Sequence, residues 1–442
     1  MNVANQPEPD SSNNEGQPVR PKRGIRKKFL IGLGLLFALA LGFNAFQSWR
    51  ASSQLESRLE KLREQGVPLT LDELQAERLA EDDNAQTWIR RAKPHTEALD
   101  KLLRDYQGTE EFQTFRPTDE QIEMLENAFE EHAEAFELYA KAASCSGFQS
   151  DWRIGEQPSE SLRIHLDEVS EARSVMRHCS SRAGLLMTQR RFDEALQLGL
   201  QMLKFSRAVE HQPMVIGHMV GTACRFISLN VLVALFERAP LTDTQRGQID
   251  AAVADCESVD SFRHALASER IYGLAAFRSE IFGGPVQSMV VWTFKFDACD
   301  YLDLIEQIDE SAARSRDSIV SELAALSEQK SGPLTKMSTS ALLQFRLAHD
   351  RGLARVRCVR LLNALQDQFP DGIPDQPLLS ELSGAEDTRL DPFTGKPLVV
   401  RVTEENIVVY SMGINGTDEG GQFDDQADEG IRIKRNYGIL QD

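Results

Sequence analysis

The chain has 442 residues, with ordinary apolar (41%) and charged (26%) fractions and a net charge of -19. That length accommodates two or three domains with real cores. The acidity argues against nucleic acid as a partner, since phosphate binding needs a concentrated basic face.

The first 28 residues hold Arg20, Lys22, Arg23, Arg26, Lys27 and Lys28 against Glu8, Asp10 and Glu15, so this arm is +3 and the remainder is -22. With little to bury, residues 1–28 are expected to be a disordered cytoplasmic arm. Phe29 to Phe46 then carries no charge, and the uncharged run continues to Trp49. At about 1.5 Å per residue this approaches the roughly 30 Å of a bilayer's hydrocarbon. Trp49 and Arg50 close its far end as an interfacial aromatic and a snorkelling cation. The segment 29–47 therefore reads as a transmembrane helix. The basic cluster before it predicts a cytoplasmic N-terminus and an extracytoplasmic domain on a bacterial inner membrane. Phe46-Gln47-Ser48-Trp49-Arg50 is a poor cleavage site, so a retained anchor is expected in place of a signal peptide.

Residues 48–66 place Leu55, Leu59 and Leu62 at helical spacing, a stalk helix ending at Gly66. A mainly α-helical domain is expected over 67–337. Its helices are predicted over 84–106, 118–143, 162–188, 192–209, 213–238, 242–255, 258–281 and 298–328, with Gly-Pro breaks at Gly284-Pro285 and Gly332-Pro333. The pair 162–188 and 192–209, joined by Gln189-Arg190-Arg191, resembles one tetratricopeptide hairpin; no second copy follows at the repeat distance. Six separated cysteines (Cys145, Cys179, Cys224, Cys256, Cys299 and Cys358) include no CxxC pair, which sets aside zinc-ribbon and thioredoxin-like chemistry. Buried thiols are expected in preference to disulfide staples in a domain this large.

A last long helix is predicted over 338–368. Prolines 370, 374 and 377 end the helical run, and Val399 to Thr403 with Ile407 to Ser411 give a β-hairpin signal, so 338–442 reads as a small α+β module. The loop that follows is rich in glycine and acid. Asp418, Asp424, Asp425 and Asp428, with carbonyls freed by the glycines, have the oxygen chemistry of a calcium site, although the spacing is not that of an EF-hand.

Catalytic motifs are lacking: there is no HExxH, GxSxG, P-loop or GxGxxG after a strand. The acids around His132 read as a solvated helix face. His178-Cys179 and His349-Asp350 are helix neighbours that point apart. Asp151-Trp152-Arg153 with His165 is the one place where an enzyme reading would put a pocket.

Three stretches carry a resemblance. Gly66 to Leu74 with Asn84-Ala85, Cys145 to Trp152, and the hairpin around 184–196 resemble a group of membrane-anchored proteins common in planctomycete-type bacteria. The last ninety residues are similar to the globular part of type II secretion major pseudopilins. They run from a long helix to Phe369-Pro370, then Asp391-Pro392-Phe393-Thr394-Gly395-Lys396-Pro397-Leu398, a strand, and Tyr410 to Gly421. That resemblance implies calcium held in the acidic loop, with Asp418, Asp424, Asp425 and Asp428 as ligands. The anchor has no prepilin cleavage motif, so the shared piece reads as a reused module. The expected function is a membrane-anchored, non-enzymatic interaction or scaffold protein with a protein partner. The alternatives are a component associated with secretion machinery and an extracytoplasmic enzyme.

Overall fold

The computed structural model describes residues 23–74, 78–150, 158–212, 214–278, 291–328, 332–377, 382, 389–423 and 428–435. The arm before Arg23, the Asp151–Arg153 stretch and the Gly284-Pro285 break lie outside them. The chain is mainly helical and closes on a small antiparallel sheet.

The segments expected as anchor and stalk form one uninterrupted helix, α1 (Arg23–Glu64). Its apolar part lies wholly outside the protein core, with Phe29, Leu39 and Phe43 all more than half exposed. After the short α2 (Leu71–Leu74) come α3 (Ala85–Leu102) and α4 (Glu110–Thr114). The expected 118–143 helix divides at His132 into α5 (Asp119–Glu131) and α6 (Ala133–Ser144). A capping box between Thr118 and Gln121 starts α5, satisfying two otherwise orphaned N–H groups.

The central hairpin is α7 (Pro158–Thr188) and α8 (Phe192–Glu210), turned by Arg190 at φ +58°. Against both packs α9 (Val215–Arg238), as apolar and as long as a membrane span, yet 56% of its most apolar stretch is buried. It is a core helix. Gly199 of α8 permits the close approach, since a side chain there would press on Val231 and Leu232 of α9.

The remaining helices are α10 (Asp243–Ala254), α11 (Asp260–Arg278), α12 (Val291–Ser311), α13 (Arg316–Glu328) and α14 (Pro333–Gln368). The expected 298–328 helix is thus two, parted after Ser311, and α12 starts seven residues earlier than the sequence pattern suggested. Gly332-Pro333 marks the start of α14, with proline at a position whose N–H has no helical partner.

The sheet has order β1-β2-β3: β1 (Val399–Val402), β2 (Asn406–Ser411) and β3 (Glu429–Lys434). The hairpin register pairs Val399 with Tyr410 and Val402 with Ile407. The third strand was not foreseen; it pairs Ile433 with Ile407 and Ile431 with Val409. These four residues join the same buried cluster as Val356, Val359 and Leu362 of α14 and Leu229 and Leu232 of α9. Burying each aliphatic side chain contributes roughly 1.5–3 kcal/mol.

The stalk portion of α1 is not free. Leu55, Leu59 and Leu62 pack on Leu274 of α11 and Leu302 of α12.

Candidate functional site

The acidic loop leaves β2 at Ser411 and returns at Glu429. Gly420 and Gly421 take φ of +79° and +81°, and a side chain at 421 would strike Val408, so the backbone turns here only with glycine. Asp418 Oδ1 accepts from the Tyr410 hydroxyl at 2.7 Å and from the Gly420 N–H at 2.8 Å. The Tyr410 bond, foremost, holds that carboxyl below its ordinary value. Asp428 is 1% exposed, and its Oδ2 accepts from the Gly421 N–H at 2.7 Å. Its Oδ1 is buried with no donor in reach. Burial first, then the charges of Glu419 and Asp418, push Asp428 above the ordinary carboxylate range.

Glu419, which the sequence reading did not single out, completes the cluster. Its Oε1 accepts from Asn415 at 2.7 Å, while Oε2 is buried and unpartnered. The loop thus gathers Asp418, Glu419 and Asp428; Asp424 and Asp425 lie outside the described residues. The expected free carbonyls are partly engaged. Gly421 O accepts from Arg432 at 2.7 Å and Gly420 O from Arg401 at 3.4 Å. Among the described residues no set of three or more His, Cys, Asp or Glu is already arranged around a metal position.

Asp391, in the turn at 391–397, has a structural task. Its two oxygens accept from the Phe393 and Met412 N–H groups at 2.8 and 3.1 Å and from Ser411 and Thr394 hydroxyls at 2.7 and 3.0 Å. It is 2% exposed and fastens the turn at 391–397 to the end of β2.

The helical body buries an unusual set of titratable groups. His165, His218 and His349 are each at most 5% exposed, and neither ring nitrogen of any of them meets a hydrogen-bond partner. His218 and His349 sit among Phe262 and Phe345, ring centroids 4.4 to 6.2 Å apart. Burial pushes His165 down to about 4 and, with Arg225 adding to it, His218 down to about 3. Burial and the neighbouring His218 hold His349 well below its ordinary value. Beside them Arg225 donates to Glu210 at 3.1 Å, and Arg346 and Arg316 both donate to Asp350, at 3.0 and 3.2 Å. His165, which an enzyme reading would place along a pocket and a packing reading in the core, is enclosed, with α9 pressing on it at Gly217.

A buried relay runs from Asp100 Oδ1 to His178 Nε2 at 3.1 Å, from His178 Nδ1 to the Tyr139 hydroxyl at 3.3 Å, and on to Thr96 at 2.8 Å. Its acid, base and hydroxyl order resembles a nucleophile-activating chain. Yet Tyr139 and Thr96 are 4% and 3% exposed, and burial drives the Tyr139 hydroxyl pKa upward. A hydroxyl in that state is a locked strut between α3, α6 and α7. Cys179 next to His178 is likewise inert, its thiol pushed up to about 12 by burial. All six cysteines are buried and free.

Glu130, Glu131 and Glu134 lie on the solvated face expected of them, while His132 turns partly inward. It is half-buried, its Nδ1 3.3 Å from Nδ1 of His95, whose Nε2 lies 3.4 Å from Glu134. Two stretches named in the planctomycete resemblance also meet: Asn84 caps α3 and bonds Gln149 through both ends of its side-chain amide. A polar cleft of about 480 Å³ opens between α1 and α12, lined by Ser53, Ser57, Arg58, Phe296, Asp300 and Asp303. Burial, then Asp297 and Asp303, raises Asp300 there. No family model matches the chain, and neither a curated protein nor a solved structure matches it.

Proposed function

We propose that this chain is a single-pass membrane-anchored protein whose helical domain stands outside the cytoplasm as a scaffold for a protein partner, with a C-terminal loop stabilised by calcium. The observation that carries the anchor is the contrast between two equally long apolar helices. The most apolar stretch of α9 is mostly buried, whereas none of that of α1 is. The exposed apolar residues that run from Phe29 to Trp49 in one helix have no stable home in water. The basic cluster at 26–28 orients the helix with its N-terminus in the cytoplasm.

The scaffold reading draws on the helical hairpin of α7 and α8 and on the sealed state of the buried His, Tyr and Cys groups. The calcium reading draws on two orphaned buried carboxylate oxygens, Asp428 Oδ1 and Glu419 Oε2, in one loop. A hard cation would satisfy both, with Asp418, Asp424 and Asp425 as further oxygen donors. The order of long helix, Asp391 turn, strand and glycine-rich acidic loop supports a module of pseudopilin type reused at the end of a planctomycete-type anchored protein.

Fractionation tests the anchor. In expressing cells the full chain stays in the membrane pellet through alkaline carbonate, and protease added to spheroplasts digests everything beyond α1. Recovery of a shortened chain in the soluble fraction overturns the reading.

A further inference from the structure

The outer end of the apolar segment in α1 is not apolar all round. Asn44, Gln47 and Ser48 recur at helical spacing, and these three are half-buried while Phe43, Phe46 and Trp49 are more than half exposed. The polar stripe is covered by α12, which runs parallel to α1, the two climbing in step. Trp292 meets Phe43 edge-on at 6.4 Å, and Phe296 meets Trp292 at 6.1 Å. Arg50 lies over Phe296 at 6.0 Å, and Lys295 donates to Ser52 at 2.7 Å. Higher up, Arg58 pairs with Asp303, and Lys61 with Glu306 at 3.7 Å.

These pairings fix a level. Arg50 and Lys295 are the first cations met on leaving the apolar part of each helix, and they come from separate elements to the same height. With their charges among the headgroups, Phe43 lies seven residues deeper on α1, about 10 Å at the helical rise. Trp292 lies beside it. That depth is the boundary between headgroups and acyl chains, where interfacial helices bury about 5–10 Å and where tryptophan concentrates. In the sequence no charged residue stands between Glu280 and Lys295.

We propose that the first turn of α12 is a second membrane contact: Val291, Trp292 and Phe294 seat in the outer-leaflet interface beside the anchor. The domain is thereby held down on the lipid surface instead of swinging on a stalk. The occupant is lipid because Trp292, part-exposed in this turn, packs edge-on against Phe43 of the exposed apolar run of α1. The same contact half-buries Asn44 and Gln47 on the side of α1 that faces α12, though Gln47 Oε1 gains no hydrogen-bond partner there. This inference rests on the reading of α1 as a membrane span.

The test is depth-dependent fluorescence quenching of the full chain in phosphatidylcholine vesicles. One variant keeps only Trp292 (Trp49→Phe, Trp88→Phe, Trp152→Phe). A second keeps only Trp49 (Trp88→Phe, Trp152→Phe, Trp292→Phe). Each is first matched to the native chain by circular dichroism. With bromine at acyl positions 6 and 7, the Trp292 variant is expected to lose at least as large a fraction of its emission as the Trp49 variant. Quenching of Trp49 without quenching of Trp292 overturns the second contact and leaves the anchor standing. Acrylamide then tells whether water or another protein chain covers Trp292. If lipid bromine reaches neither tryptophan, the anchor itself fails, and this inference with it.

Discussion

A histidine kept neutral inside a protein is a stored sensitivity to acid. His218 and His349 face Phe262, Phe345, Arg225 and Arg346, and the backbone of Glu210 and Ser261 offsets only part of the burial of His218. Their folded values are depressed, so the unfolded chain takes up protons first as pH falls below about 6.5. The stability they contribute is fully present above that pH and is lost as pH falls towards their folded values. Each such proton steepens the loss by about 1.4 kcal/mol per pH unit. Glu210 and Asp350 act with the opposite sign, since burial raises their folded values and protonation then favours the folded chain. A comparison isolates the histidines. Between pH 6.5 and 4 the native chain should lose stability faster than a His218→Phe, His349→Phe chain, by up to about 2.7 kcal/mol per pH unit. Denaturant midpoints measured across that range give both slopes, and equal slopes would refute the account.

At the scale of elements, Asp297 shows how one helix starts another. Its carboxylate, on α12, accepts from the N–H groups of Leu334 and Thr335 at 2.9 and 3.1 Å and from the Thr335 hydroxyl at 2.6 Å, capping α14 from outside. Gly332 is required beside it, because a side chain there would run into the same carboxyl. Asp297→Ala should cost about 1–2 kcal/mol, as loss of a cap does. It should speed amide exchange in the first turn of α14, with Asp297→Asn recovering part of the loss. Unchanged exchange at Leu334 and Thr335 would show that the cap is idle. This bond was illegible in the sequence, because donor and acceptor lie 37 and 38 residues apart. Local signals read well: the start of α5 at Thr118, the turn at Arg190 and the β1–β2 hairpin each rest on neighbouring residues. Partners chosen by packing did not. The break at His132 carries no Gly or Pro, and its ring finds His95 on another helix. β3 alternates Ile431 and Ile433 inward, but its partner strand lies across a long polar loop. In the candidate loop the acids were visible by composition, whereas the burial of Asp428 and the part played by Glu419 follow from how the chain turns at Gly420 and Gly421.

For the whole molecule, the question is whether the last hundred residues form a detachable piece. Ile407, Val409, Ile431 and Ile433 share one cluster with α9 and α14. Across the same seam Arg351 pairs with Glu429 at 2.8 Å, and Arg357 donates to the Leu390 carbonyl at 2.7 Å. Deleting 369–442 exposes what those four side chains cover, a loss on the order of 6–12 kcal/mol at roughly 1.5–3 each. A domain's whole stability is about 5–15 kcal/mol. The shortened chain should therefore lose its cooperative melting transition instead of keeping the native one. Calcium probes the same coupling from the other side. A ligand bound only to the folded chain at about 100 times its dissociation constant adds about 2.7 kcal/mol. If loop and helices melt as one body, calorimetry of the full chain in detergent shows a single transition that calcium moves upward and chelator returns, and Asp428→Asn abolishes the shift. A truncated chain that melts like the native one, with calcium moving only a separate minor transition, would establish the tail as an independent module. A full chain indifferent to calcium would remove the cation from the loop and leave Asp428 a buried acid beside Glu419, raised above the ordinary carboxylate range.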